Sequence, residues 1–157
     1  MTIKLLAIGK TDSGQLQQLI DVYEKRLQHY VNFEIEIIPD LKKTKNLSEE
    51  QQKEKEGELI LKKLTPTDVL VLFDEKGKQF SSVEFSQYLQ KKMNSGIKRL
   101  VFLIGGPYGF SNEIYLKSSG KISLSKMTFS HQMVRLFITE QIYRAFTILK
   151  NEPYHHR

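Results

Sequence analysis

Arg99-Leu-Val-Phe-Leu-Ile-Gly-Gly-Pro-Tyr-Gly109 is the stretch whose reading decides the fold class. After Arg99 the side chains are apolar without a break to residue 104, too many for a strand with one wet face, so a strand covered on both sides is predicted. Gly105, Gly106, Pro107 and Gly109 then halt it in a tight loop. Two other runs read alike: residues 3–8, ended by Gly9, and Asp68-Val-Leu-Val-Leu-Phe73, followed by a loop over 74–78 in which Gly77 supplies the turn. Phe33-Glu-Ile-Glu-Ile-Ile38 alternates before Pro39-Asp40, and Lys121-Ile-Ser-Leu124 is a short fifth strand.

Helical patterns fill the gaps. Asp12 or Ser13 caps a segment with Leu16, Leu19, Ile20, Tyr23 and Leu27 at helical spacing. Past a basic loop, Lys42-Lys43-Thr44-Lys45, Ser48 and Gln51 form a capping box for a charged helix that reads as solvated. Ser81 or Ser82 opens a helix through Phe85, Tyr88, Leu89 and Met93, and Ser111 caps a short one with Glu113 at its positive end. Strands alternating with helices mean an α/β fold, with a mostly parallel sheet and helices on both faces. No repeat or linker divides the chain, so residues 1–157 are read as a single domain.

The last fifth is unusual. From His131 to about residue 149 there is no Gly or Pro, and Met133, Val134, Leu136, Phe137, Ile138, Ile142, Tyr143, Ala145 and Phe146 surround the helix axis. A helix apolar on nearly every side is expected to be buried on nearly every side, either at the centre of the molecule or under a partner subunit. His131, Arg135 and Thr139 form one polar strip, Glu140 and Arg144 another roughly opposite. The tail Asn151-Glu-Pro-Tyr-His-His-Arg157 is polar.

Composition bounds the function. A net charge of +6 and a pI near 9.4 suit an anionic partner such as nucleic acid. The absence of cysteine excludes disulfides, thiol catalysis and Cys-ligated zinc, and fits a reducing cytoplasm. No apolar run approaches the ~18 residues of a membrane span, and the N-terminus turns polar too soon for a signal peptide. The histidines at 29, 131, 155 and 156 lack the spacing of a metal site, so no metal is expected. Ligands of open α/β sheets bind beyond the carboxyl ends of strands, which selects the loops after Phe73, Ile104 and Leu124. The glycine loop 105–109 lacks the phosphate-loop lysine and the dinucleotide fingerprint, yet lets a ligand approach its backbone.

Four ordered blocks carry a resemblance: Leu-Ile-Gly-Gly-Pro-Tyr-Gly (103–109), Leu-Ser-Lys-Met-Thr-Phe-Ser-His-Gln-Met-Val-Arg (124–135), Glu-Gln-Ile-Tyr-Arg-Ala-Phe (140–146) and Pro-Tyr-His (153–155). With the opening Leu-Ala-Ile-Gly-Lys, Tyr23-Glu-Lys-Arg26, Lys55-Glu-Gly57 and Gly77-Lys78, the whole chain resembles the large-subunit ribosomal RNA pseudouridine methyltransferases of the SPOUT class, type H. Ser130 departs from it, standing where that family usually has proline, and should loosen the exit of the preceding loop; the doubled histidine blurs the register of the last residues.

The resemblance implies an α/β fold with a deep C-terminal trefoil knot over about 100–157, an exception to the rule against knots. It implies a homodimer that binds S-adenosylmethionine in the knot and methylates N3 of a pseudouridine in 23S ribosomal RNA of the assembled ribosome. Motif matching places the cofactor on Phe73, Gly105, Leu124, Ser125, Lys126, Met127, Thr128 and Phe129, on the same three loops. An imide N3–H needs a base or strong acceptor, for which His131 and His155 are candidates, with Tyr154 to stack on or bond the uracil. Arg135 and Arg144 are candidates to hold phosphate or offset charge on the uracil oxygens, Arg144 together with its i,i+4 neighbour Glu140. A non-enzymatic ribosome-binding protein of the same fold is the rival reading, and the complete run 124–129 with its triple-glycine neighbour argues against it.

Overall fold

The computed structural model describes residues 1–156. Five strands, β1 (Thr2–Ile8), β2 (Asn32–Ile38), β3 (Val69–Gln79), β4 (Arg99–Ile104) and β5 (Gly120–Ser123), form one sheet in the order β2-β1-β4-β3-β5, with every neighbouring pair parallel. The five helices are α1 (Gly14–Leu27), α2 (Glu49–Leu61), α3 (Ser82–Asn94), α4 (Asn112–Lys117) and α5 (His131–Leu149).

The side-chain alternation of the central strands divides the core in two. Ile3, Leu5 and Ala7 of β1 with Leu100, Phe102 and Ile104 of β4 face α1, α3 and α5, where they meet Leu27, Leu89, Ile138 and Ile142. Leu6, Ile8, Val101 and Leu103 face the other way, toward Ile60 of α2 and Ile114 of α4. Both faces of β1 and β4 are therefore largely dry, the physical reason their sequences are mostly apolar; the exception, Lys4 of β1, is buried and paired with Glu34 and Glu36 of β2. β2, at an edge, keeps Asn32 and Glu34 exposed, which is why it alternates.

Three sequence expectations need correction. The predicted loop 74–78 lies inside β3, which continues to Gln79; Phe73 and Lys78 both pair with Ile122, so the residues between them bulge out of the ladder. Gly77 sits there because a Cβ would fall 2.5 Å from the Ile122 backbone. α2 is not simply solvated: Glu56, Gly57 and Ile60 are buried, and Gly57 lets the helix close on Ser111 at the cap of α4. Ser130 does not loosen the chain; it is the N-cap of α5, its Oγ accepting from the Met133 N–H at 3.2 Å.

The bounds of α5 agree with the sequence expectation, but its burial is one-sided. Ile138, Ile142, Ala145 and Phe146 are buried on the sheet between α1 and α3, whereas Met133 and Phe137 are 38% and 36% exposed. The tail after α5 folds back, with Glu152 N–H bonded to Thr147 O at 2.9 Å and the Tyr30 hydroxyl bonded to the Glu152 carboxylate.

Candidate functional site

The bulge of β3 and the carboxyl ends of β4 and β5 open onto a cleft of about 530 Å³, within the ordinary range for small-molecule sites. Its walls are the β3 bulge, the glycine loop 105–109, the loop after β5 and the first turn of α5. Phe73, Gly105, Leu124, Ser125, Met127, Thr128 and Phe129 all line it, with His131 at the mouth. Lys126 does not; its side chain is exposed on the outside of the loop. The loop is held by its serines, Ser123 Oγ donating to Ser125 O at 2.9 Å and Ser125 Oγ accepting from Met127 N–H at 3.0 Å.

Two of the glycines are required by what lies behind the loop, not by the cleft. A Cβ on Gly105 would fall 2.9 Å from the Phe110 ring, and one on Gly106 would fall 2.5 Å from Glu56 Oε2. Gly109 is needed for its backbone, at φ +84. Glu56 escaped the sequence reading because α2 scored as a charged surface helix. Its only signal was Gly57 beside it, a residue that helix interiors disfavour unless something packs closely. Asp74 and Tyr115 were missed too: both line the cleft, and Tyr115 Oη donates to Asp74 Oδ2 at 2.5 Å.

His131 stays exposed as a residue, but its ring is partly desolvated. That burial lowers its pKa, the neighbouring Arg135 cation lowers it further, and the Gly105 backbone beside the ring opposes both. His131 is therefore neutral near pH 7 and retains a lone pair.

Arg135 must be corrected. It is 2% exposed and engaged inward, Nη2 donating to Ile8 O at 2.8 Å and Nη1 to Gly9 O at 2.7 Å and Thr11 Oγ1 at 3.3 Å. It ties α5 to the end of β1 and has no face toward a phosphate. Arg135→Ala strands two buried carbonyls and is expected to cost about 3 kcal/mol, read as a lower urea midpoint with unchanged slope.

The other four predicted residues form a second cluster at the far end of α5. Glu140 Oε1 accepts from Arg144 Nε and Nη2 at 3.0 and 2.6 Å and from the Tyr154 hydroxyl at 2.9 Å, while Gln141 Nε2 donates to Oε2 at 2.8 Å. The Arg144 guanidinium lies 4.7 Å from the centre of the Tyr154 ring, and its Nη1 is 3.3 Å from His155 Nδ1. Tyr23 places its hydroxyl oxygen 3.3 Å from that of Tyr154, and Arg26 lies over Tyr23 and Tyr143. Burial raises the Tyr154 pKa, and the Tyr23 and Glu140 contacts add to it, so this hydroxyl stays protonated as a donor. His155 Nδ1 faces a permanent cation, which has only donors to offer it. None of Glu140, Arg144, Tyr154 and His155 lines the cleft. Along α5 the nine residue steps from His131 to Glu140 span about 13.5 Å.

Comparison with known proteins places the chain. A family model described as "Predicted SPOUT methyltransferase" matches residues 1–155. The chain is 71% identical, over all of both sequences, to a protein of Christiangramia forsetii named ribosomal RNA large subunit methyltransferase H. It is 73% identical over the same extent to a protein so named from Flavobacterium psychrophilum, and 66% identical over 99% of each chain to one from Parabacteroides distasonis. Among solved structures, a probable methylase family protein of Haemophilus influenzae superposes with a TM-score of 0.55 at 12% identity, over 99% of this chain and 70% of that one, a likeness of fold.

Proposed function

Since this chain belongs to the SPOUT methyltransferase family, we propose that it uses S-adenosylmethionine to methylate N3 of a pseudouridine in 23S ribosomal RNA of the assembled ribosome, as a cytoplasmic homodimer. The observation that carries the reading is the convergence of seven of the eight expected cofactor positions on one cleft. The full-length likeness to relatives named for large-subunit ribosomal RNA supports the substrate class. In this reading the chain is one domain, and the part from about residue 100 onward is its knotted, cofactor-binding part.

The cleft suits the cofactor in size and chemistry: main chain of loops 105–109 and 124–129 to bind a polar ligand closely, Phe73 and Phe129 for a flat ring, and the Ser125 and Thr128 hydroxyls. When bound, S-adenosylmethionine supplies a methyl group on a positively charged sulfonium. Methyl transfer then needs alignment and a deprotonated N3. His131 is the group for that proton. In the tail cluster Glu140 is saturated, Tyr154 is a donor and His155 Nδ1 is taken by Arg144, whereas His131 sits at the cleft mouth with a lone pair. The tail cluster serves the RNA, gripping a base between Tyr154 and His155. An exposed apolar strip, Met127, Phe129, Met133 and Phe137, supports dimerisation through the first turns of α5, which brings a partner's tail to the cleft.

The test is calorimetric titration with S-adenosylmethionine followed by methyl incorporation into ribosomes from a strain lacking the activity, with nucleoside mass spectrometry of the product. Ribosome binding without uptake of the cofactor would establish the non-catalytic alternative. The rate should also report His131. Its pKa is lowered from 6.5, so turnover should stay flat through neutrality and fall only as pH drops through that lowered value and the ring gains its proton. His131→Asn should remove this acid limb along with most of the rate, by roughly a hundredfold. An unchanged acid limb would move the proton acceptor elsewhere.

A further inference from the structure

Glu56 is a buried charged group, directly behind the cleft wall, that the proposed chemistry leaves unused. It is 3% exposed, Oε1 accepts from Gln52 Nε2 at 3.1 Å, and Oε2 has no hydrogen-bond partner. The carboxylate fills the space where a Gly106 side chain would be, 2.5 and 2.8 Å from the ideal Cβ position, while Gly106 itself lines the cleft. Only the thickness of a glycine separates a buried carboxylate from the ligand space.

The surrounding charges do not cancel it. Glu56 makes no salt bridge among the described residues. From the end of β2, Asp40 faces both Glu56 and the buried Arg135 of α5, and it favours the Arg135 cation, so those two offset each other. On α2 itself Lys53 reaches the cleft but is paired with Glu50 at 2.8 Å. Where α2 meets α4 and its cap, at Gly57, the nearest atoms are those of the uncharged Ser111 and Ile114. β3 adds Asp74, Glu75 and Lys76 to the cleft wall, Asp74 accepting from the Tyr115 hydroxyl. Glu56 itself is left without a cationic partner, and a buried polar atom without a partner calls for an explanation.

We infer that Glu56 is a specificity-determining residue: its charge, acting through Gly106, makes the cleft prefer the positively charged methyl donor over the neutral demethylated product. The inference rests on the S-adenosylmethionine reading above. Donor and product, S-adenosylhomocysteine, differ by one methyl group and one positive charge, so contacts to their shared parts cannot separate them strongly. A fixed charge in a water-poor wall can, by roughly tenfold at such a separation. Preference for the donor clears the product after each turnover.

The experiment is calorimetric titration of the full-length chain and of Glu56→Gln with S-adenosylmethionine and with S-adenosylhomocysteine, between about pH 5 and 8. Glutamine keeps the shape and removes the charge. In Glu56→Gln the donor should bind roughly tenfold more weakly and the product as before. Burial raises the Glu56 pKa, Gln52 opposes this and Asp40 adds to it. The wild-type preference should therefore shrink as pH falls and the carboxylate is protonated. In the variant only the contribution of the other cleft groups, common to both proteins, remains. Equal weakening of both ligands would make Glu56 a merely structural residue and overturn the inference, as would an unchanged ratio. If the variant does not fold, a wild-type ratio that is flat across this pH range overturns it equally. A wild-type chain that binds neither compound refutes instead the function proposed above.

Discussion

Alanine at both Tyr154 and His155 should reduce methyl transfer to ribosomes by about a thousandfold or more, with S-adenosylmethionine affinity nearly unchanged. The two residues stand apart from the cleft of their own chain and make no part of its wall. They are also not a loose end, which sharpens the test. Tyr154 packs edge-on against Tyr143 with centroids 4.8 Å apart, lies under Arg144, and hydrogen-bonds Glu140. Tyr154→Phe keeps the ring and its packing while removing the donor to Glu140, so it separates anchoring from substrate contact. A stacking role predicts that phenylalanine restores most of the rate; a role for the hydroxyl predicts that it does not. The readout is tritiated methyl incorporation into ribosomes. A double mutant with normal turnover would reduce the tail to packing on α1 and α5, and the grip on RNA would have to come from elsewhere, such as the basic loop around Lys43. That loop contains a single 3-10 turn, Thr44–Asn46, and Lys43 holds a left-handed backbone at φ 58.

Phe137→Asp should convert a dimer into a monomer at micromolar concentration and abolish most turnover, by about a hundredfold or more. The Phe129 and Phe137 rings lie 5.2 Å apart, both more than a third exposed, beside Met133 and the largely exposed Met127. An aspartate in the middle of such a surface would be desolvated without a partner on association, while in the isolated chain it stays in water. Sedimentation velocity reports the association state and thermal unfolding the fold. If the dimer forms, each active unit combines the cleft of one chain with the tail cluster of the other, and mixing Phe137→Asp with the tail double mutant restores nothing. If the wild-type chain sediments as a monomer, the apolar strip has another use, and the tail must reach its own cleft by moving away from Glu140.

The corrections to α2 and Arg135 share one cause. The sequence reading treated each helix by its own composition, and composition does not say which face is turned where. Arg135 looked like a phosphate ligand because an arginine on a buried helix needs a partner; the partner proved to be the end of β1, 126 residues away at Gly9. Gly105 lines the cleft as expected, but the space its side chain lacks belongs to Phe110.

From its residues alone the chain determined the α/β class, the presence of five strands, the bounds of α5 and the two cleft loops that follow β4 and β5, while the third predicted loop proved to be a bulge within β3. Those rest on local signals: apolar runs too long for a strand with one wet face, the alternation of β2, serine caps, and glycines that end strands. The four motif blocks added the family, since their order and wording survive without any geometry. Only the tertiary structure decided which polar residues meet. It sealed Arg135 inside, gathered Tyr23, Glu140, Arg144, Tyr154 and His155 into one network, left Phe129 and Phe137 uncovered, and set Glu56 against Gly106. Each depends on how parallel strands bring distant segments together and on which side of a helix the sheet occupies, and a charged residue's own spacing records neither.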